Sequence, residues 1–514
     1  MIRRLGRLLG ARLGGRLGGP PERLALVAAV ASGMLLALLV ALTDAPYATG
    51  DEPPHVDYAY QVWHGELPVF EDGLELRPDG AWLAPVQWTA QHPPLYYLLI
   101  APLVGPLADA GHPVAAVYAA RGVNVLLSGV FVLAAWWSAR RLTRPGSALP
   151  TLVAYLAGAM PAAAHVGGGA YNDLLAALCV TVLFGLAATA VRRGLDARLI
   201  AVLSLVAAAA ALTRLSAALI AAVVAAVALT AGAVRAAQGR GRWTHAVALA
   251  VAGPCAVLAT SGWFYLRNLA LTGTVTGSHF DWALENQNRQ ERPVWAVLAD
   301  PVTWARLPDL FWWAGRLPPS TPLTRTTLVV TALLLVWVPL VLALVGAIRR
   351  RETSALPAAE TPTDRLLLRA LPVAAVVVSV SVQVGYAASG GGVYPRYLLV
   401  VALPLCLAIT AGLTARPRLL VPAWTAVTLL DLAVWLSAEL TTPPQPGYYG
   451  ELPLPATVVG VLAAAAVVGS AVLALRAVAR SGVGAEPGGT RANLRQATTA
   501  ATPTSTAVDP TSAS

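Results

Sequence analysis

Apolar runs of about twenty residues recur along this chain, separated by short polar segments. The first lies at 24–42, and others follow at 116–138, 147–164, 174–191, 198–213, 215–234, 244–262, 325–348, 370–387, 397–414, 419–438 and 455–477. A helix that crosses the hydrocarbon core needs about 20 predominantly apolar residues. The pattern therefore predicts an all-α polytopic membrane protein with about twelve transmembrane helices. The apolar stretch 198–234 is too long for one span and is broken by Thr213, Arg214 and Ser216. Two helices joined at Arg214 fit it better, because an arginine at mid-bilayer costs about 2.5–3.5 kcal/mol. The piece 95–108 is too short to span. It predicts an interfacial helix in the first outer loop, with Tyr96 and Tyr97 as anchors. Further interfacial helices are expected in the long fourth outer loop, 263–322, where Trp304, Trp312 and Trp313 read as interface anchors.

Charge gives these spans a direction. The chain has no lysine, so its 36 cations are all arginines, and they cluster in alternate loops. The clusters are Arg140, Arg141 and Arg144; Arg192, Arg193 and Arg198; Arg235, Arg240 and Arg242; Arg349 to Arg351 with Arg365 and Arg369; Arg416 and Arg418; Arg476 and Arg480. All fall on the cytoplasmic side if the N-terminus does, as the positive-inside bias requires. The arginine- and glycine-rich segment 1–23 (Arg3, Arg4, Arg7, Arg12, Arg16) is then a cytoplasmic N-terminus before a retained first helix. Residues 24–477 form the membrane domain, with a first outer loop at 44–115, and the Ser-, Thr- and Pro-rich segment 478–514 is expected to be a disordered cytoplasmic tail. The arginine-only, alanine-rich composition suggests a high-GC bacterial genome, hence the bacterial plasma membrane.

Composition removes the other broad classes. Of 514 residues, 57% are hydrophobic and 12% charged, and mean hydropathy is +0.63. Soluble domains carry about 25% charged residues, so a soluble enzyme, a disordered chain and a disulfide scaffold are all excluded. A net charge of +10 would suit nucleic acid, but arginines dispersed in short loops make no basic groove. Cys179, Cys255 and Cys406 lie in apolar stretches without metal spacing and read as small packing residues.

The same topology gathers unusual polar residues at the outer face. Asp51, Glu52 and His55 follow the first span, and His92 precedes the interfacial helix. His165 and Tyr171-Asn172-Asp173 lie between the third and fourth spans, and Arg214, Arg267 and Arg396 lie in later outer loops or helix starts. Interfacial carboxylates suit the deprotonation of an attacking hydroxyl. Guanidinium groups match phosphate geometry. Phosphate is already a good leaving group, so a base, charge stabilisation and positioning suffice. An outer-face arginine runs against the positive-inside bias, which marks Arg267 and Arg396 in particular.

Several of these segments resemble the membrane GT-C glycosyltransferases, specifically the bacterial protein-mannosyltransferase and aminoarabinose-transferase group. They are GDEPPHVDYAYQVWHGE, QHPPLYYLL, AYNDLLAAL, LTRLSAALI, WFYLRNLALTG and YPRYLLVVALP, in order over about residues 24–440. The nearest likeness is to a branch with a DE-x-x-H first loop. The resemblance implies a GT-C-like fold. It also implies transfer of a sugar from a polyprenyl-phosphate donor to an extracytoplasmic glycan, lipid or protein acceptor, with inversion. It puts the catalytic base on Asp51 or Glu52, and acceptor or cation positioning on Asp173, with His55 and His92 beside it. Donor-phosphate binding falls to Arg214, Arg267 and Arg396. A divalent cation is left open, because no tight ligand motif exists. Without lysine, any phosphate-binding lysine of the family must be an arginine here.

Plainer readings stand beside these. Asp51, Glu52 and Asp173 sit where helix caps sit, Asp57 reads as a solvated face, His92 as a turn former, and His165 as a packing histidine. Arg214 can snorkel to the interface. Asp431, an acid inside a span, would suit a transporter or a flippase of lipid-linked sugars, though no inverted repeat is evident. A noncatalytic scaffold would need no acid–arginine constellation. Convergence of Asp51, Asp173 and Arg396 separates the enzyme from its rivals.

Overall fold

The computed structural model describes residues 20–47, 51–78, 81, 83–305, 307–313, 330, 332–349, 360–441 and 456–483. The N-terminal arginines, the start of the 325–348 span, Arg350, Arg351 and the tail from 484 lie outside the described residues.

All regular structure among the described residues is helical. The first span is α1 (Pro20–Thr43), and the first outer loop carries α2 (Glu52–Trp63) and α3 (Leu95–Asp109). There follow α4 (Pro113–Leu142), α5 (Leu149–Gly158), α6 (Pro161–Gly168), α7 (Asp173–Arg193), α8 (Ala197–Ala211), α9 (Leu215–Ala237) and α10 (Trp243–Val257). A π turn at Leu258–Gly262 carries α10 into α11 (Trp263–Thr272). Short helices α12 (Phe280–Asn286), α13 (Val294–Ala299) and α14 (Pro301–Ala305) fill the next loop. The chain closes with α15 (Val338–Arg349), α16 (Pro362–Ala388), α17 (Ala402–Leu413, entered through a 3₁₀ turn at Pro395–Val401), α18 (Pro417–Thr441) and α19 (Ala456–Val483).

Nine helices among the described residues are long and apolar enough to cross a membrane, or ten if α5 and α6, bent by 46°, form one broken span. The chain is therefore a polytopic membrane protein. The expected twelve is not reached by this measure. The segment predicted at 198–213 is α8, whose 15 residues rise only about 22 Å, and the described part of 325–348 is likewise short. Pro161 divides the third predicted span by denying the backbone an N–H there.

The fourth outer loop begins later than predicted, because the helix containing WFYLRNLALT runs on to Thr272 and stops at Gly273, whose φ of 72° suits glycine. Its short helices are present as expected, among them α12 to α14. The interfacial helix is α3, with Leu98, Leu99 and Leu103 exposed. Its tyrosines point the other way. Tyr96 and Tyr97 are fully buried, and Tyr97 stacks on Tyr58 with ring centroids 3.6 Å apart, so they are core residues and not anchors.

Two further expectations are corrected. Trp312 and Trp313 are buried and not interfacial: Trp313 donates through Nε1 to Ala159 O at 3.0 Å and packs on Trp435 at 4.3 Å. Its backbone N–H donates to Asp431 Oδ2 at 2.7 Å, which gives the acid inside α18 a structural partner. His165 packs between Trp313 and Trp435, as read from the sequence. Cys179 and Cys406 are buried, whereas Cys255 lies on the exterior of α10.

The arginine-rich ends of the helices gather at one end of the bundle. Arg192 pairs with Glu360 at 2.9 Å, and Arg235 and Arg240 both approach Asp364. The polar residues singled out around the first loop lie at the opposite end.

Candidate active site

The site is built at the start of α2, and one buried ion pair ties that start to the residues that end α1. Glu52 and Arg121 are each 1% exposed in their side chains. Arg121 donates through Nε to Glu52 Oε1 at 2.7 Å and through Nη2 to Oε2 at 2.6 Å. Its remaining protons reach the carbonyls of Ala41, Asp44 and Ala45. Glu52 also accepts the N–H groups of Tyr47 and Ala170. A buried charge must be paired and hydrogen-bonded to be tolerated, and here both are. Glu52 is therefore fully engaged and does not line the cavity beside it. Arg121 is not singled out by the sequence reading, although an arginine inside a predicted span is the signal that finds it.

Asp51, one residue earlier, faces that cavity. Its volume is about 550 Å³, and its walls include Asp51, His55, His92, Asp173, Arg214 and Arg396. Asp51 pairs with Arg396, and Asp173 pairs with Arg214 Nη1 at 2.5 Å. Arg214 also donates to Asn172 Oδ1 at 3.0 Å, and Tyr397 lies under its guanidinium at 4.8 Å. Arg396 stands among Tyr171, Tyr394 and Tyr397, 5.3–5.5 Å from each ring. Its buried Nε has no hydrogen-bond partner among the described residues. A buried donor without an acceptor is costly, so this edge of the guanidinium is poised for an oxygen ligand.

His55 and His92 stack nearly parallel, 6.1 Å between centroids. His55 Nδ1 is 2.9 Å from Tyr97 Oη. Burial first, and then the charges of Arg396 and Arg214, hold the His55 imidazole well below its ordinary pKa. Burial, Arg214 and its neighbour His55 do the same to His92, only partly opposed by Asp51. Both shifts favour the neutral imidazole.

Asp57 is buried, not solvated. It accepts from the backbone N–H groups of Glu75 and Leu76 at 2.7 Å each, and from Gln61 and Gln87 at 2.9 and 2.5 Å. These bonds tie the 74–76 and 87–89 segments onto α2. Burial pushes its carboxyl up to about 6, against the pull of the four donors. Arg267 stands apart from the main cavity. It donates to the carbonyls of Leu67 and Pro68 at 3.3 and 2.8 Å, joining α11 to the first loop.

The far wall comes from parts of the chain the sequence reading did not single out. It carries Phe70, Trp88, Phe280, Trp282, Tyr386 and Arg289. Beside it, a more apolar cleft of about 380 Å³ runs between α9 and α16, past Leu215, Leu219, Ile220, Val378 and Val382. The two spaces share Gln91, His92, Arg214, Ser278, Phe280, Tyr386 and Tyr397.

Among the described residues no three His, Cys, Asp or Glu groups are placed to hold an ion, and Asp51 and Asp173 both face arginines.

No protein-family model matches the sequence, and no curated protein does. Among solved structures, the chain is similar to ArnT from Cupriavidus metallidurans bound to undecaprenyl phosphate. That match has a TM-score of 0.47 and 15% identity, over 88% of this chain and 76% of that one. The chain is also similar to the oligosaccharyltransferase of Archaeoglobus fulgidus in its apo form, with a TM-score of 0.43, 14% identity and 89% of this chain covered. It spans 56% of that protein's length. Likeness at this level assigns no activity, which rests on the site itself.

Proposed function

We propose that this chain is a GT-C-like glycosyltransferase of the bacterial plasma membrane, moving a sugar from a polyprenyl-phosphate donor to an acceptor hydroxyl at the extracytoplasmic face. One observation carries the reading. Two acids, two arginines and two histidines from five separate segments line one cavity, which adjoins an apolar cleft between two spans. A transporter would centre its charges on the bilayer midplane, and a scaffold would need no such assembly.

In this reading the isoprenoid chain lies along Leu215, Leu219, Ile220, Val378 and Val382, and its phosphate meets Arg214, where the two spaces join, and Arg396 in the polar cavity. The sugar extends toward Trp88, Phe280 and Trp282, whose flat apolar faces suit pyranose C–H groups. Phosphate competes for Arg396, so donor binding loosens the Arg396–Asp51 pair and frees the carboxylate. The acceptor oxygen then attacks the anomeric carbon from the side opposite the phosphate. The glycosidic bond to phosphate breaks, polyprenyl phosphate leaves with the electron pair, and the acceptor proton passes to Asp51. Attack from that side inverts the anomeric centre. Asp173 holds Arg214 in place, and His55 and His92 are neutral hydrogen-bonding groups for the acceptor. No step is routed through a cation.

The test is transfer of label from a panel of radiolabelled polyprenyl-phosphate sugars in membranes containing the full chain. Incorporation into acceptor, with release of polyprenyl phosphate, supports the proposal. No transfer from any donor, with movement of the lipid-linked sugar from one leaflet to the other in reconstituted vesicles instead, would favour a flippase.

A further inference from the structure

The opposite end of the bundle carries a second cleft, of about 540 Å³, that the proposed reaction does not use. Three parts of the chain form it: the start of α1 with Glu22, the α4–α5 turn with Arg140, Arg144, Ser147 and Thr151, and the last turns of α19 with Arg476 and Arg480. Four guanidinium groups and one carboxylate thus face one space. Glu22 lies 3.4 Å from Arg140, whose guanidinium also sits 4.9 Å from the Trp136 ring. Arg144, Arg476 and Arg480 have no carboxylate partner among the described residues.

Their neighbours at this end behave differently. Arg192 is held by Glu360 and the carbonyls of Arg141 and Thr143. Arg235 and Arg240 share Asp364, and Arg141 stacks on Trp137 at 3.8 Å. Where this end needs its arginines for packing, it supplies partners. At the cleft it leaves three cations convergent and open, beside only one acid.

We propose that this cleft binds the phosphate headgroup of an anionic phospholipid, seated between the first and last spans. Guanidinium is suited to phosphate oxygens, and Ser147 and Thr151 add hydroxyl donors. The surroundings distinguish a lipid from a free anion. Leu473, Ala477 and Pro21 line the cleft, and Leu24, Val27 and Val472 are exposed on the adjacent flanks of α1 and α19. Acyl chains descending from the headgroup would cover those side chains, whereas inorganic phosphate would leave them bare. The arginine distribution assigns this end to the cytoplasm, so the lipid belongs to the inner leaflet.

The test is native mass spectrometry and thermal unfolding of the full chain in mixed micelles. The probes are phosphatidylglycerol, phosphatidylcholine and inorganic phosphate. One variant carries Arg144→Gln, Arg476→Gln and Arg480→Gln. A charge-matched control carries Arg193→Gln, Arg416→Gln and Arg418→Gln, exposed arginines of the same end that do not line the cleft. Wild type and control should retain bound phosphatidylglycerol and gain thermal stability from it. The cleft variant should lose affinity by about fivefold per arginine removed. Equal loss in both variants, or equal retention of phosphatidylcholine, would overturn the proposal. So would a full stabilising effect from inorganic phosphate alone. All of the substituted side chains are exposed, so folding is not at stake.

Discussion

Asp51 and Glu52 are adjacent in sequence, and the structure gives them opposite duties, so Glu52→Gln is the most informative stability variant. The wild-type carboxylate takes two charge-assisted bonds from Arg121, at 2.6 and 2.7 Å, and two backbone N–H bonds, at 3.1 and 3.2 Å. The amide keeps one acceptor oxygen, removes the negative charge and turns an NH₂ group toward a guanidinium. Arg121 is then a charge that is 1% exposed, compensated only by carbonyl dipoles. Breaking a buried pair from one side costs about 3–5 kcal/mol. The double variant Glu52→Gln with Arg121→Met removes both charges and should recover more than half of that loss. Thermal or denaturant unfolding of the purified protein, read by tryptophan fluorescence, gives the magnitude, and the folded fraction then normalises activity. If Glu52→Gln unfolds like wild type yet loses all turnover, the buried-pair argument fails and Glu52 belongs to the chemistry.

Arg396→Gln and Arg214→Gln should each weaken donor use by about 10- to 100-fold in kcat/KM, the scale of one or two charge-assisted bonds. Arg267→Gln should leave donor KM unchanged, because its protons go to the Leu67 and Pro68 carbonyls; steady-state kinetics with varied donor separates the three. His55 and His92 have lowered folded pKa values, so the stability they contribute is present above the ordinary histidine pKa and lost as pH falls below it. A pH series of unfolding temperatures should therefore fall below about pH 6.5, and substituting both rings by Gln should flatten that limb. An unchanged limb would remove the stacked histidines from the account. At Gly412, an added Cβ would overlap the Pro339 carbonyl across the α15–α17 contact. Gly412→Ala should thus lower stability by about 1–3 kcal/mol, measured by unfolding, with donor KM in the folded fraction unchanged.

The membrane architecture was largely legible because hydropathy acts over whole helices. At two of the segments that fall short of a full span, local chemistry intervenes: Pro161 bends one, and the break at Thr213 and Arg214 leaves α8 with only 15 residues. Helix α11 ran past its predicted limit because WFYLRNLALT continues a helical surface after the strongly apolar run ends. The cavity was half legible. Asp51, His55, His92, Asp173, Arg214 and Arg396 are unusual for their positions, and the topology puts them at one end. What pairs with what was not legible. Asp51 and Arg396 are 345 positions apart, and no periodicity links them. Asp57 looked solvated because its four donors come from both α2 and segments 18–30 residues further on. Trp313 looked interfacial because Asp431, which holds its backbone, lies 118 positions away. The aromatic wall from Phe280 to Trp282 sits in a loop whose return to the first outer loop leaves no pattern in sequence.

The central claim is that Asp51 takes the acceptor's proton in a sugar transfer, and the decisive measurement is single-turnover transfer with saturating donor. Wild type is compared with Asp51→Asn and Glu52→Gln at equal folded protein. Loss of a general base costs about 10²–10⁴-fold, so Asp51→Asn should fall by that factor with donor affinity retained, while Glu52→Gln stays within a few-fold of wild type. Turnover by Asp51→Asn at the wild-type rate would contradict the account.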